Sequence, residues 1–458
     1  MKRIIKSINY IIPIFFAISL LLGIYGAVVN KANTLPVPWL IVPVGAALAF
    51  LCAVKFNSLE KYAETMTVYE YRRFSALLCL ILLISQILSA VFVNFTPIND
   101  LKYVADGAEN LILGRDIYYG LPEYHQDYFE CYPNNHALFT IIYVLYKVQF
   151  EIFGKITNIL PTILNIIALN TSYWLMCRCA ELIHTTKKAF LCAVRGMLFT
   201  PFVTYAANFY TDSMAMPLVM LSVYIYLRSR KSGKLSQLVI CGAVMGLAFK
   251  MKGSSGVLLI AVIIDMLLRK RKLACYGALA LPFAAAAKTV SAVSAKLLGI
   301  TCEMLKEKAF PLIHWVMMSA DGRGGYNSED FLYTQSFSGC DKVSADLARL
   351  SLKLKTQGFF GFIGHLADKI AYTWENFTFM AGYYCEGSFS SPVFIVTAFL
   401  CHWTVVFSLL INLWQARKKG ADEAFLFRLS LFGLCVFLLI WETRCRYLIS
   451  FFPVFLLI

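Results

Sequence analysis

Apolar residues fall along this chain in long uninterrupted blocks, broken by short polar stretches, rather than at the three-and-four spacing of an amphipathic helix. Residues 11–29, IIPIFFAISLLLGIYGAVV, carry no charge. About 20 such residues are what a helix needs to cross a hydrocarbon layer of roughly 30 Å. Comparable blocks lie at 8–30, 37–54, 74–95, 157–177, 189–208, 213–227, 236–250, 254–268, 273–295, 391–414, 424–441 and 447–458. Lipid offers no hydrogen-bond partner to the backbone, so each block is expected to be helical. The pattern predicts an all-α polytopic membrane protein of about 12 transmembrane helices with outer-face juxtamembrane helices, forming one domain over 1–458. The first block follows MKRIIKS as a signal peptide would, but it is longer than an h-region and lacks a small-x-small exit, so it reads as a retained helix. The last block stops at Ile458 after barely a dozen residues, so the chain ends within the membrane or the sequence is truncated.

Composition agrees with the pattern: 59% of the 458 residues are hydrophobic and 15% charged, too apolar for an ordinary soluble domain. The net charge of +15 would suit nucleic acid, but placement excludes it. The cations sit in short loops: Lys2, Arg3 and Lys6; Lys55, Lys61, Arg72 and Arg73; Arg228 to Lys234; Arg269 to Lys272; Arg417 to Lys419. This is the positive-inside signature of membrane topology.

That signature fixes sidedness. With the N-terminus inside, the third span delivers residues 96–133 outside, and the later basic clusters return Asn208 to Asp212 to the same face. A further span at 134–150 would invert everything downstream. Its apolar run, Ala137 to Tyr146, is about half a span, so the segment is expected to be an interfacial or re-entrant helix. Residues 96–156 then form a first outer loop with its juxtamembrane helix. Residues 296–390 form a second large outer region, in which KLKTQGFFGFIGHLADKIAYTW resembles an amphipathic surface helix pair. The 14 cysteines include no CxxC pair. Cys131, Cys302, Cys340 and Cys385 fall in outer loops, where either disulfides or free thiols are expected.

The first outer loop is acidic against this basic background. Most of its carboxylates are explained by topology, which keeps basic residues inside. Asp100 differs, because it lies a few residues past a span, where a carboxylate reaches a lipid head group and suits a general base. Asp212 opens the sixth span at the same depth, as a helix cap, a substrate contact or both. Lys250 and Lys252 occupy a short outer turn against the charge rule, which suggests an anionic partner such as a lipid phosphate. Arg444 and Arg446 beside Glu442 suggest a phosphate clamp or an Arg–Glu structural pair. His314 opens the loop HWVMMSADGRGGYNSED, which also holds Tyr326. As an interfacial side chain it reads as packed before it reads as a base, and the loop's glycines follow no strand as a dinucleotide site would require. Tyr132 and its aromatic neighbours could stack on a sugar or form an interfacial belt.

The order of PIND, YPNNHALF (with Tyr132 and Asn134), YTDS, GLAFKMKGSSGVLLIAVII, HWVMMSADGRGGYNSED and ETRCRYLISFFPVF resembles the GT-C glycosyltransferases of the family 39 or protein-mannosyltransferase-like type found in Gram-positive bacteria. The resemblance spans essentially the whole chain. It implies a GT-C-like fold and an enzyme of the plasma membrane whose extracytoplasmic site moves a sugar from a polyprenyl-phosphate carrier to a lipid, glycan or protein acceptor. It matches the family's key carboxylate to Asp100 and its second acid to Asp212. Lys250, Lys252, Arg444 and Arg446 are then expected to hold the lipid phosphate, with Tyr132, Asn134, His314, Tyr326 and Glu442 as substrate-loop residues. The family begins with one span before its catalytic loop, whereas three are counted here, so residues 74–95 would correspond to that first span. Some members use metal, but the first loop has no DxD pair, so no metal and no cofactor are assigned. The rival expectations are a polytopic transporter or lipid-linked-sugar flippase, and a non-enzymatic polymer-assembly scaffold. No internal repeat supports transport, and the unusual charges gather at one face rather than mid-span.

Overall fold

The computed structural model describes residues 2–29, 38–93, 96–382, 391–420 and 422–458. Helices follow one another throughout, and no β-strand forms among the described residues. Before the first loop come α1 (Lys2–Val29), α2 (Pro38–Phe56) and α3 (Val68–Phe92). The loop holds α4 (Asn99–Ile112), α5 (Tyr128–Cys131) and α6 (His136–Phe153). Next are α7 (Ile159–Ile183), α8 (Thr186–Met197), α9 (Pro201–Thr204), α10 (Thr211–Ser232), α11 (Leu235–Met251), α12 (Gly256–Leu268) and α13 (Leu273–Leu298). The second polar region folds as α14 (Cys302–Lys308), α15 (Leu312–Met318), α16 (Ser328–Gln335) and α17 (Asp341–Trp374). The chain closes with α18 (Pro392–Ala416), α19 (Phe425–Ile440), a 3-10 segment at Cys445–Phe451 and α20 (Phe452–Phe455).

Among the described residues, seven helices are long and apolar enough to cross a membrane: Ile5–Val29, Pro38–Ala63, Val68–Phe92, Pro133–Phe153, Ile159–Ile183, Leu273–Leu298 and Pro392–Ala416. Shorter apolar helices cover Leu235–Met251, Gly253–Leu268, Phe425–Ile440 and Cys445–Phe455. The architecture is therefore all-α and polytopic, but built from unequal pieces rather than a dozen uniform spans. The expected span at 189–208 is two pieces, α8 and α9. Gly196 there lies under Tyr173 and Met176, and Pro201 supplies no amide to continue the helix. Residues 445–455 advance as a 3-10 turn before α20, which covers more distance per residue than an α-helix does.

Side-chain contacts order the segments between two ends. Tyr71 Oη donates to the Cys177 carbonyl at 2.9 Å, Arg72 Nε meets Glu181 at 3.0 Å, and Asn170 Nδ2 reaches the Cys79 carbonyl at 2.9 Å. α3 and α7 are thus antiparallel, and the start of α7 lies beside the end of α3 that leads to Asp100. α6 begins at that same end, and five residues connect it to α7 with Tyr146 bonded to Asn158. Both ends of α6 consequently lie at one end of the α3/α7 pair, although the helix is an intact 18 residues, longer than the half-span the sequence suggested.

Close helix approach is set by small residues. A Cβ at Gly242 would sit 2.1 Å from the Leu279 carbonyl oxygen and one at Gly246 2.4 Å from that of Phe283, so α11 and α13 touch backbone to backbone. Near its C-terminus α13 also meets α6, where Thr140 Oγ1 donates to Ser294 Oγ at 2.8 Å, and 6% of its apolar window is buried. In α17, Gly358 takes φ 60° and ψ −175° and breaks the helix in two. The second arm is not the surface helix expected. Trp374 is buried edge-on against Phe16 at 5.1 Å, and it packs closely on Gly23, as Glu375 does on Gly26. Small residues on α1 admit an arm that amphipathicity alone assigns to the surface.

Candidate functional site

Asp100 stands in the first turn of α4. The helix is strongly amphipathic: Leu101, Val104, Ala105 and Ala108 are buried, pinning the face next to the carboxylate. Asn99 just before it has φ 52°, a left-handed conformation that asparagine tolerates better than most residues. Tyr128 Oη donates to Asp100 Oδ1 at 3.1 Å, and Tyr210 Oη lies 3.5 Å from Oδ2. Asn135 ties the two phenols together, its Nδ2 donating to Tyr128 Oη at 2.5 Å and its Oδ1 lying 3.2 Å from Tyr210 Oη. Three separate segments therefore converge on one carboxylate: α5, the turn before α6 and the residue preceding α10. Burial first, and then the Asp100 charge, push the Tyr128 and Tyr132 phenols well above the usual tyrosine range. Both remain protonated, and Tyr128 acts as a fixed donor.

One tyrosine ring away lies a second cluster. Asp212 is fully buried, ion-paired with Lys252 and with Arg446 Nη1 at 2.8 Å. The Arg446 guanidinium lies 5.6 Å from the Tyr210 ring centre and 4.7 Å from that of Tyr447. Lys252 lies 4.5 Å from Tyr447. Arg444 pairs with Glu442 at 3.1 Å, and Tyr447 lies within reach of the Glu442 charge. The polar segment 441–446 is held from the second polar region: Lys369 Nζ donates to the Trp441 carbonyl at 3.0 Å, and the Thr443 amide donates to the Gly324 carbonyl at 2.9 Å.

The structure thus distributes the sequence candidates unevenly. Asp100, Tyr132 and Glu442 share one electrostatic neighbourhood, with Tyr326 also close to Tyr132. Asp212, Lys252 and Arg446 form a single ion cluster, so Asp212 faces the two cations assigned to phosphate. Lys250 is partly buried at the end of α11, beside His136. Asn134 is exposed, and its neighbour Asn135 holds the network instead. His314 is fully buried and packed on Phe310 at 4.4 Å, with Nδ1 2.7 Å from Thr334 Oγ1, which donates to Asp346 at 2.6 Å. Burial, followed by the Lys342 and Lys353 charges, pushes His314 down to about 3. It is a neutral packing residue of the second polar region.

Sequence reasoning missed Asn135 and Tyr210, and it named Tyr128 only among aromatics that could stack on a sugar, not as a donor to Asp100. Tyr210 sits two residues before Asp212, and that adjacency was the available signal. Nothing local marks Asn135 over Asn134, because which of two consecutive side chains points inward depends on the turn entering α6. Among the described residues, no group of three His, Cys, Asp or Glu side chains could hold a metal ion. Cys131, Cys302 and Cys340 are free thiols, the first buried and the other two exposed. Cys385 lies outside the described residues.

A family model described as a conserved hypothetical integral membrane protein matches residues 1–395, and the chain belongs to that family. No curated protein matches it.

Proposed function

We propose that this integral membrane protein is a glycosyltransferase that moves a sugar from a polyprenyl-phosphate carrier to a lipid, glycan or protein acceptor, at the extracytoplasmic face of the plasma membrane. The observation that carries the reading is the juxtaposition of two unlike clusters. One is a carboxylate held by neutral phenols, and the other is a set of cations one tyrosine ring away. A proton acceptor beside a cationic anion-binding surface is what displacement of a phosphate by a hydroxyl needs.

In the proposed reaction the acceptor oxygen bonds to the anomeric carbon as the sugar–phosphate C–O bond breaks, with inversion. The hydroxyl proton passes to Asp100. The departing electron pair stays on the carrier phosphate, whose charge is stabilised by Lys252, Arg446 and, at the edge of the cluster, Arg444 and Lys250. Asp212 holds Lys252 and Arg446 in place, so its part is positioning. Tyr132 offers an aromatic face near Asp100, with Tyr326 close to Tyr132. The tyrosines on Asp100 orient its lone pairs without adding positive charge, which would weaken it as a base.

The test uses vesicles containing the full chain and a labelled polyprenyl-phosphate sugar. Asp100→Asn is expected to lower release of the lipid phosphate by about 10²–10⁴-fold with protein abundance unchanged. Undiminished transfer by this variant overturns the catalytic assignment. Movement of the intact lipid-linked sugar between leaflets without cleavage supports a flippase instead.

A further inference from the structure

Behind the Asp100 network lies a cavity of about 300 Å³ that the proposed reaction does not use. It opens between the first loop and the junction of α13 with α14. Arg115, Asp116, Tyr118 and Glu130 form its polar side, and Ile117, Leu298, Ile300 and Met304 its apolar side. Successive helical residues are offset by about 100°. Tyr128 and Glu130 on α5 therefore project to nearly opposite sides: the first reaches Asp100, the second lines the cavity.

The polar side is a built arrangement. Glu130 is 3% exposed, accepts a hydrogen bond from Tyr118 Oη at Oε2, and has Lys308 Nζ 3.9 Å from Oε1. An ionised carboxylate accepts about four hydrogen bonds, and a buried one is costly unless they are made. Glu130 keeps acceptor capacity for a donor entering the cavity. Arg115 lies at the rim, exposed and against the Tyr119 ring at 5.4 Å, with no carboxylate partner among the described residues. The opposite wall continues into α13, which packs on α11 along one side and has 6% of its apolar window buried.

We propose that this cavity binds the head group of an aminophospholipid, with the primary ammonium on Glu130, the phosphate at Arg115 and the acyl chains running down α13. The order of chemistry along the cavity matches that ligand: a buried anion, then a rim where Arg115 stands beside Asp116, then an apolar wall leading into the bilayer. A quaternary ammonium has no N–H to donate to Glu130, and an anionic glycerol head group brings no cation, so both are poorer ligands. The inference does not depend on the glycosyltransferase reading, because none of these residues contacts Asp100 or Asp212 in the interactions described above.

The experiment is native mass spectrometry of the full chain released from nanodiscs containing equal amounts of phosphatidylethanolamine, phosphatidylcholine and phosphatidylglycerol. The parent protein is expected to retain phosphatidylethanolamine preferentially. Glu130→Gln should lower that preference by about tenfold, the size expected for one charge-assisted hydrogen bond. Met304→Trp, which fills the apolar wall and leaves Glu130 and Tyr118 intact, should lower retention with an unchanged melting temperature. This variant keeps the test decisive if Glu130→Gln fails to fold. Equal retention of the three lipids by the parent, or undiminished retention of phosphatidylethanolamine by Met304→Trp, overturns the proposal. Competition by free phosphoethanolamine as effective as that by the lipid overturns its lipid part, because the chains would then contribute nothing.

Discussion

Two buried aspartates in this bundle each meet a pair of cations, and they differ in what those cations do next. Asp265 on α12 accepts from Tyr226 Oη at 2.6 Å and pairs with Arg269 at 2.9 Å and Arg230 at 3.9 Å. Both arginines continue to Glu423 in the α18–α19 loop. Two carboxylates thus balance two cations, and the group fastens three chain segments at the basic end. At the other end, Lys252, Arg444 and Arg446 share Asp212 and Glu442. That is three cations to two carboxylates, with Asp100 one ring away. The motif is the same; the charge balance and the neighbour are not. The first cluster acts as a fastener between segments, whereas the second gathers Lys252, Arg444 and Arg446 beside Asp100, a setting that suits an incoming anion.

The largest expected effect is functional and one-sided. Asp100→Asn should cost about 10²–10⁴-fold in sugar transfer, while Asp265→Asn should leave transfer intact, and comparable losses in both would dissolve the distinction between the two ends. The next effect is on stability. Arg446→Ala strands Asp212 with a single cation and should cost about 3–5 kcal/mol, read as a lower melting temperature in detergent. Asp265→Asn should cost less, about 1–3 kcal/mol, because its arginines keep Glu423. A third test concerns the scaffold beneath both clusters. Gly242→Ala forces a methyl onto the Leu279 carbonyl and should destabilise by about 1–3 kcal/mol. Gly277→Ala on the same helix pair meets nothing within 4 Å and serves as its control.

The smallest effect is a pH slope. His314 titrates near 6.5 when exposed and near 3 in the fold, so between those values the unfolded chain binds a proton that the folded one does not. Stability from this group therefore falls as pH drops through that window. Burial raises Asp346 and acts in the opposite sense, so the measurement compares the parent with His314→Gln, whose melting temperature should decline less between pH 7 and 5.

Some of these features were legible along the chain. Block length and the sites of the basic clusters gave the membrane class, and Asp100 was marked by its place past a span. The discounting of 134–150 rested on charge parity and on the shortness of its uninterrupted apolar run. Contacts supply an independent reason, since α3 and α7 are antiparallel and both ends of α6 fall together. The same reasoning misjudged the second arm of α17, whose amphipathic pattern says surface. The glycines of α1 that let it sink between helices are far away in sequence.

The sequence by itself determined the solvent this protein folds in, because uncharged length and loop charge are local properties that a bilayer reads directly. Only the tertiary structure decided which polar side chains meet. Asp212 could have faced Asp100 or the cations, and it took Lys252 from α11 and Arg446 from the segment before α20, 234 positions away. The choice between Asn134 and Asn135 turned on the rotation of one short turn. Hydrogen bonds and ion pairs depend on ångström-scale approach, and in this fold that approach is set by helix packing rather than by order along the chain.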